Sequence, residues 1–351
     1  MKQLIVSGLL KIKGGIGMKR STMFVVFGLM VFVFTLMGGQ ALAAGEYLFK
    51  YSNSQSDTHP RSISMYFFKD LVEESSGGRI KVELYTSGVL GKEAEVLDMV
   101  KTGALQGCRG GLFERANKMY LIYTLPFFFE NTDQVLKLMR GEFGQKINEG
   151  AMKNGFYIPA CSVAGGFRNI TNNVRPITKP EDLKGLKMRT PPIDMTIKTF
   201  KTLGANPQMV AYTETYMALK SNVVDGQENP FSNTVDMKFY EAQKYLSVVN
   251  WQIHPDPFYV NLDWYNKLPD DLKNIFDASA KAAMIYSDTV WLNSENNYFN
   301  LLKTKLKTNT LSSEDTAKFA AAAKPVWQQY VDDGFFTWEN INAAQNLAKS
   351  K

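Results

Sequence analysis

Gly185-Leu186-Lys187-Met188-Arg189-Thr190-Pro191-Pro192 reads as a short strand that ends on an arginine and is halted by two prolines. Ile193, Ile197, Phe200 and Leu203 then recur at helical spacing as far as Gly204, and Val223-Val224-Asp225-Gly226 supplies the next strand. A strand, a crossover helix and a second strand are the parts of a largely parallel sheet covered by helices. Upstream the alternation is the same. A strand at Tyr47 to Tyr51 precedes a helix whose apolar positions are Ile63, Phe67, Phe68, Leu71 and Val72, and Gly77-Gly78 stop it. Ile80, Val82 and Leu84 alternate with charged residues, the period of a half-buried strand. A helix follows from Lys92 to Lys101, then strands at Leu105 to Cys108 and at Phe156 to Val163, with a helix capped by Asn131 or Thr132 between them.

The pattern restarts after Gly165-Gly166, which implies a second lobe. Downstream, Tyr245 to Trp251 and Phe258 to Leu262 read as strands, and the stretch from Pro269 to Lys307 is helical with no internal proline or glycine. Such a length suggests a helix lying across both lobes. The expected division is a first lobe from 44–165 and 255–294, and a second from 166–254 and 295–351. The end of the chain is helical from Ser313, interrupted at Pro325 and Gly334.

The chain has 351 residues, 45% of them hydrophobic, enough for a large core and too many for most single compact lobes. Its formal charge of +6 is misleading. Lys2, Lys11, Lys13, Lys19 and Arg20 fall in 1–43 with no acid, which leaves 35 bases against 34 acids in the remainder. The body is close to neutral, so the charge offers no case for a nucleic-acid partner. Lys19 and Arg20, the uncharged run from Met23 to Ala44 and the exit Ala41-Leu42-Ala43 have the order of a cleaved secretory signal peptide, with Met18 as a possible true start. The same run is long enough to span a bilayer, so an uncleaved anchor is the alternative. No cysteine precedes Cys108, so no lipid-modified cysteine holds the mature protein to a membrane.

Cys108 and Cys161 are either two buried thiols or a bridge, because sequence alone does not place their Cα atoms within reach. The chain has two histidines, His59 and His254, which is too few for a typical zinc site. It contains no GxSxG, HExxH, GxxxxGK[ST] or GxGxxG pattern. We expect no metal, no cofactor and no enzyme. Two arginines stand out. Arg168 follows Gly165-Gly166-Phe167, and Arg189 closes its strand. Ligands gather at the carboxyl ends of strands in open α/β sheets, and an arginine there holds a carboxylate through two parallel hydrogen bonds. Pairing with a structural acid is the other reading of each. Asn229 offers an amide on the same rim, and Tyr212 is either a flat wall or core.

The run from Gly185 to Pro230 carries further pieces: Leu203-Gly204-Ala205-Asn206-Pro207, Glu214-Thr215-Tyr216-Met217-Ala218-Leu219-Lys220 and Val224-Asp225-Gly226-Gln227-Glu228-Asn229-Pro230. It closely resembles the extracytoplasmic solute-binding proteins of TRAP transporters, the dicarboxylate-binding family. His59-Pro60, Gly78-Arg79, Leu90-Gly91-Lys92-Glu93, Leu125-Pro126-Phe127 and Leu268-Pro269-Asp270-Asp271 fall in the family's order. The resemblance implies an α/β periplasmic binding protein with a two-lobed clamp, its lobes joined by crossing strands and braced by the long helix. It places the carboxylate-binding arginine on Arg189, a second on Arg168, the amide on Asn229, the aromatic on Tyr212 and a first-lobe polar contact on Asn53. It further implies a periplasmic monomer that captures a small organic acid and hands it to small and large membrane permease subunits. Where sugar-acid binders of the family carry an acid after the strand ending at Cys108, this chain has Gly110-Gly111, with Glu114 and Arg115 displaced. That departure speaks against a sialic-acid-like polyol. A ligand-sensing module feeding a receptor, or a secreted hydrolase or lyase, are the rival functions on such a scaffold. Mass spectrometry of the exported protein is expected to find a mature N-terminus at Ala44; a start upstream of Met23 refutes cleavage.

Overall fold

The structure, a computed structural model, describes residues 46–350, so the expected signal segment lies outside the described residues. β1 (Tyr47–Ser52) leads into α1 (Pro60–Ser75), β2 (Ile80–Tyr85), α2 (Glu93–Thr102) and β3 (Gly107–Cys108). After α3 (Thr132–Arg140) the chain passes through β4 (Phe156–Tyr157), β5 (Cys161–Val163) and β6 (Arg168–Asn172). β7 (Lys187–Thr190), α4 (Asp194–Thr202), β8 (Asn206–Met209), β9 (Gly226–Asn229) and α5 (Phe231–Asp236) follow. The return passage is β10 (Tyr245–Gln252), β11 (Pro255–Pro257) and β12 (Tyr259–Asn261). α6 (Asp270–Lys305), β13 (Lys307–Thr310), α7 (Ser313–Ala323), α8 (Pro325–Asp332) and α9 (Trp338–Lys349) complete the chain.

Two sheets result. The first has the order β2-β1-β3-β12-β4 and the second β13-β10-β6-β9-β7-β8, while β5 and β11 form a two-stranded ribbon. β1 lies parallel to β2 and β3, and β7 parallel to β8 and β9, as crossover helices require. Both sheets are nonetheless mixed. β4, β5 and β6 leave the first sheet for the second, and β10, β11 and β12 come back beside them, so each pair across the two passages is antiparallel.

α6 ties the cores together. Leu272, Phe276, Ala280 and Ala283 pack with Phe49, Phe68, Val72 and Phe258 under the first sheet, whereas Leu302 packs with Phe231 and Leu246 beside the second. Its 36 residues extend roughly 54 Å at 1.5 Å each, enough to reach both. The aromatic layer is interlocked: Phe49 meets Phe276 edge-on at 5.1 Å and Tyr51 stacks on Phe258 at 4.5 Å. Cys108 and Cys161 are both buried free thiols.

Three sequence expectations differ from the structure. The apolar run Phe156 to Val163 is two strands in different sheets, because Pro159 between them has no N–H to donate to a ladder. Val223 and Val224 belong to a turn. Their N–H groups bond back to the Ala218 carbonyl at 3.0 and 3.4 Å, closing the preceding helix, and the strand starts only at Gly226. The last segment does not pack as one piece with the second sheet. Phe319 and Ala323 do, but Trp327, Tyr330, Ile341, Ala344 and Ala348 share a core with Val135, Leu138 and Met139 of α3. From Pro325 the chain touches both sides: Tyr330 of α8 donates to Asp194 of α4 at 2.7 Å, and Ile193 and Met195 belong to the same core.

Gly165 and Gly166, at φ +83° and +108°, carry the passage into β6. A Cβ on Gly165 would fall 2.3 Å from Ser232 Oγ, so backbone conformation and space both require glycine there. Across from Gly166 lies Glu295 of α6, whose buried Oε2 has no hydrogen-bond partner among the described residues. Burial pushes this carboxyl up to about 8 from an ordinary 4.5. A carboxyl raised on folding is neutral in both states below 4.5 and penalises the fold increasingly as pH rises through 8. Glu295→Gln is therefore expected to raise the melting temperature by a few degrees at pH 8.5 and to leave it unchanged at pH 4; equal shifts at both pH values would contradict this.

Candidate functional site

A cleft of about 380 Å³, counting the solvent at its mouth, is lined from both sheets and their helices: Gln55, Arg61, Glu93 and Gly111 on one side, and Arg168, Arg189, Tyr212 and Asn229 on the other. Pro191, Ile193 and Ala164 give it apolar walls, and Asn233 and His254 complete it. Four of the five residues expected at the site therefore meet in one cavity. The fifth does not. Asn53 lies beside a separate cavity, and its carboxamide is spent locally, donating to Ser62 Oγ at 2.9 Å and accepting from the Gln55 N–H at 2.8 Å. Three positions after β1, it is Gln55 that reaches the cleft.

Each arginine has a different status. Arg168, at the first position of β6, is forked on Glu228: Nη2 donates to Oε1 at 2.9 Å and to the Glu228 carbonyl at 2.9 Å, and Nε donates to Oε2. Nη2 also donates to Asn229 Oδ1 at 3.1 Å. Arg168 thus pairs with a structural acid and also lines the cleft. Arg61 donates through Nε to Asp256 Oδ2 at 3.0 Å and through Nη1 to Gln55 Oε1 at 2.6 Å. Arg189 is 1% exposed, donates only through Nε to the Val210 carbonyl at 2.9 Å, and has no acidic partner among the described residues. Its two terminal nitrogens are left for the cleft. Burial lowers its pKa to about 10; Glu228 opposes that shift and Arg168 adds to it. A dehydrated guanidinium with no counter-ion is a costly arrangement that an incoming anion relieves.

Neutral groups fill in around it. Burial and the positive charges of Arg168, Arg189 and Arg61 hold His254 well below its usual pKa, so its ring is neutral, with Nε2 donating to Gln252 Oε1 at 2.7 Å. The Tyr212 hydroxyl is buried without a partner among the described residues, and burial raises its pKa well above the ordinary range. Asn229 donates through Nδ2 to Gln227 Oε1 at 2.6 Å, keeping one N–H for a ligand. Glu114 is not in the lining. It is largely buried, which pushes its carboxyl up to about 7.

The cleft is shut in this structure. Ser56 donates from both Oγ and its backbone N–H, the latter at 3.3 Å, to Asp236 at the end of α5. His59 caps α1 by accepting the Arg61 N–H on Nδ1 at 3.1 Å, which leaves Nε2 to donate to Asn233 Oδ1 at 3.2 Å. Burial lowers its pKa to about 4, so this neutral tautomer is the working one. The Lys92–Glu214 pair at 2.7 Å is half-exposed on both sides and adds little. The partners of His59 and Lys92 lie 174 and 122 residues away, beyond any local pattern.

Residues 51–333 match the family described as bacterial extracellular solute-binding protein, family 7, and the chain belongs to that family. It is 30% identical over 304 residues, 82% of this chain and 88% of the relative, to the C4-dicarboxylate-binding periplasmic protein of Vibrio cholerae. A TRAP periplasmic solute-binding protein from Shewanella oneidensis with bound succinate superposes with a TM-score of 0.82 at 25% identity, covering 86% of this chain and 99% of the other. One from a Polaromonas species bound to D-erythronate gives 0.81 at 27%, covering 87% and 100%. The two-lobed clamp and a binding rather than catalytic role follow from that membership. Removing the strongest contact across the cleft, with Asp236→Ala, is expected to weaken solute affinity about fivefold, or roughly 1 kcal/mol, by calorimetry. An unchanged affinity would show that the contact does not favour the shut form.

Proposed function

We propose that the protein captures a small organic acid outside the cytoplasm and presents it, in the closed clamp, to the small and large membrane subunits of a TRAP transporter. Export by signal cleavage and action as a monomer are parts of the same reading. The lobes are taken as 44–165 with 255–294 and 166–254 with 295–351, the segment from Pro325 touching both. The observation that carries the reading is Arg189: a buried guanidinium whose terminal nitrogens meet no acid among the described residues, at the end of β7 in a closed cleft. Relatives named for C4-dicarboxylates, and neighbours holding succinate and D-erythronate, agree in binding carboxylates.

The ligand's carboxylate docks on the two terminal nitrogens of Arg189. Asn229 adds its remaining N–H, Tyr212 closes one wall, and Arg168, already neutralised by Glu228, steadies the electrostatics from behind. Ligand contacts from both sides exist only when the cleft is shut, so binding shifts the population toward the closed form. No catalytic step is needed.

A thermal-shift screen against small organic acids, with neutral sugars and amines as controls, tests this. A ligand at a hundred times its dissociation constant adds about 2.7 kcal/mol and moves the transition by several degrees. Arg189→Ala is expected to weaken binding about 30-fold to several thousand-fold, the roughly 2 to 5 kcal/mol of an unpaired buried charge. Binding within threefold of wild type would show that the anchor lies elsewhere.

A further inference from the structure

A second cavity, of about 710 Å³ counting the solvent at its mouth, lies apart from the solute cleft and shares no lining residue with it. Three helices each turn one face toward it. Lys281, Met284 and Ile285 come from α6, Gln145 and Asn148 from the helix Glu142–Gly150, and Met139 and Arg140 from the end of α3. The connection from β4 to β5 closes the remaining side with Pro159, Ala160 and Cys161. The floor is apolar and yielding, since the flexible side chains of Met139 and Met284 adapt to what enters. Ile285 is 53% exposed, so apolar surface continues from the floor out to the rim.

The polar groups of the rim are donors. Arg140 and Lys281 line the cavity, and no aspartate or glutamate does. Asp277, one turn before Lys281 on α6, feels the lysine's charge, but its Oδ2 accepts the Tyr157 and Tyr265 hydroxyls at 2.8 and 2.9 Å and makes no ion pair with Lys281. Arg140 gives Nη2 to Asp288 Oδ2 at 2.7 Å, which leaves Nε and Nη1 without a partner among the described residues. Asn148 accepts the Tyr120 hydroxyl on Oδ1 at 2.5 Å and keeps both N–H bonds of its carboxamide to donate. An apolar floor under a rim of cations and donors is complementary to an amphipathic anion. We propose that this cavity is a second binding site, separate from the solute cleft, for a small acid with an apolar tail. The tail lies on Met139, Pro159, Cys161 and Met284, and the carboxylate meets Lys281, with Arg140 and Asn148 as further donors. A cation there would face two like charges with no acid in the lining, and a short hydrophilic acid gains nothing from the floor. The assignment does not rest on Arg189, so either site can fail without the other.

Calorimetry of the exported protein with hexanoate, octanoate and decanoate tests this, with 1-octanol and octylammonium as the uncharged and cationic controls. Octanoate is expected to bind about tenfold or more tighter than either control, and each two added methylenes to tighten binding roughly tenfold as the tail covers more of the floor. Lys281 is exposed, so Lys281→Glu reverses the charge at the rim without entering the core. That variant is expected to melt as wild type does and to weaken octanoate about tenfold or more, while Lys281→Arg keeps the affinity. Arg189→Ala is expected to bind octanoate within about twofold of wild type, which places the acid outside the solute cleft. Four results each overturn the assignment: octanoate that does not bind at millimolar concentration, 1-octanol that binds as tightly, a Lys281→Glu affinity equal to that of wild type, or loss of octanoate binding in Arg189→Ala.

Discussion

An arginine without an acid is the constraint around which the cleft is arranged. Arg189 is buried on β7, tethered by one hydrogen bond to the Val210 carbonyl, and its depressed pKa records what burial costs its charge. The fold tolerates this because the neighbouring charges are settled first. Glu228 is fully claimed by Arg168, and Asp256 by Arg61 and Arg109, so neither is free to swing across and quench Arg189. An acid placed in reach would have stabilised the empty protein and abolished the need for a ligand.

The scaffold encloses that charge between two sheets joined by crossing strands. Antiparallel passages through β4–β6 and β10–β12 connect the sheets, with Gly165 and Gly166 at positive φ where the first passage turns. α6 packs at one end with the aromatic core of the first sheet and at the other beside the second. Contacts across the cleft are few and polar: Ser56 to Asp236, His59 to Asn233, Lys92 to Glu214. Polar contacts of this kind are each worth about a kilocalorie per mole or less, so closure is held by an amount that a ligand's own interactions can match. Large apolar interdigitation there would have locked the clamp instead.

The sequence read well where a pattern is local. The 3.6-residue period of α1 and α6, the alternation in β2, and the proline and glycine stops lie within a few residues of what they control. Arg189 was legible for the same reason, as a charge ending a strand. The misses have a common physical cause. Val223-Val224 has the composition of a strand, but its amides are drawn back to Ala218 by the end of a helix. Asn53 sits where a polar contact was expected, yet Ser62 and Gln55 consume its carboxamide. Arg61 follows His59-Pro60 and Glu93 ends Leu90-Gly91-Lys92-Glu93, and nothing near them in sequence shows which is paired.

The sequence by itself determined the alternation of strands and helices, the two-lobed α/β class, the family, and an arginine at a strand end, because each depends on residue type and short-range spacing. Only the tertiary structure decided which charges are neutralised. Arg168 finds Glu228 60 residues on, Arg61 finds Asp256 195 residues on, and Arg189 finds no acid among the described residues. Ion pairing is a matter of distance in space between burial sites. It leaves no period in the chain to read, and in this protein it separates an arginine paired with an acid from one that is not, among the described residues.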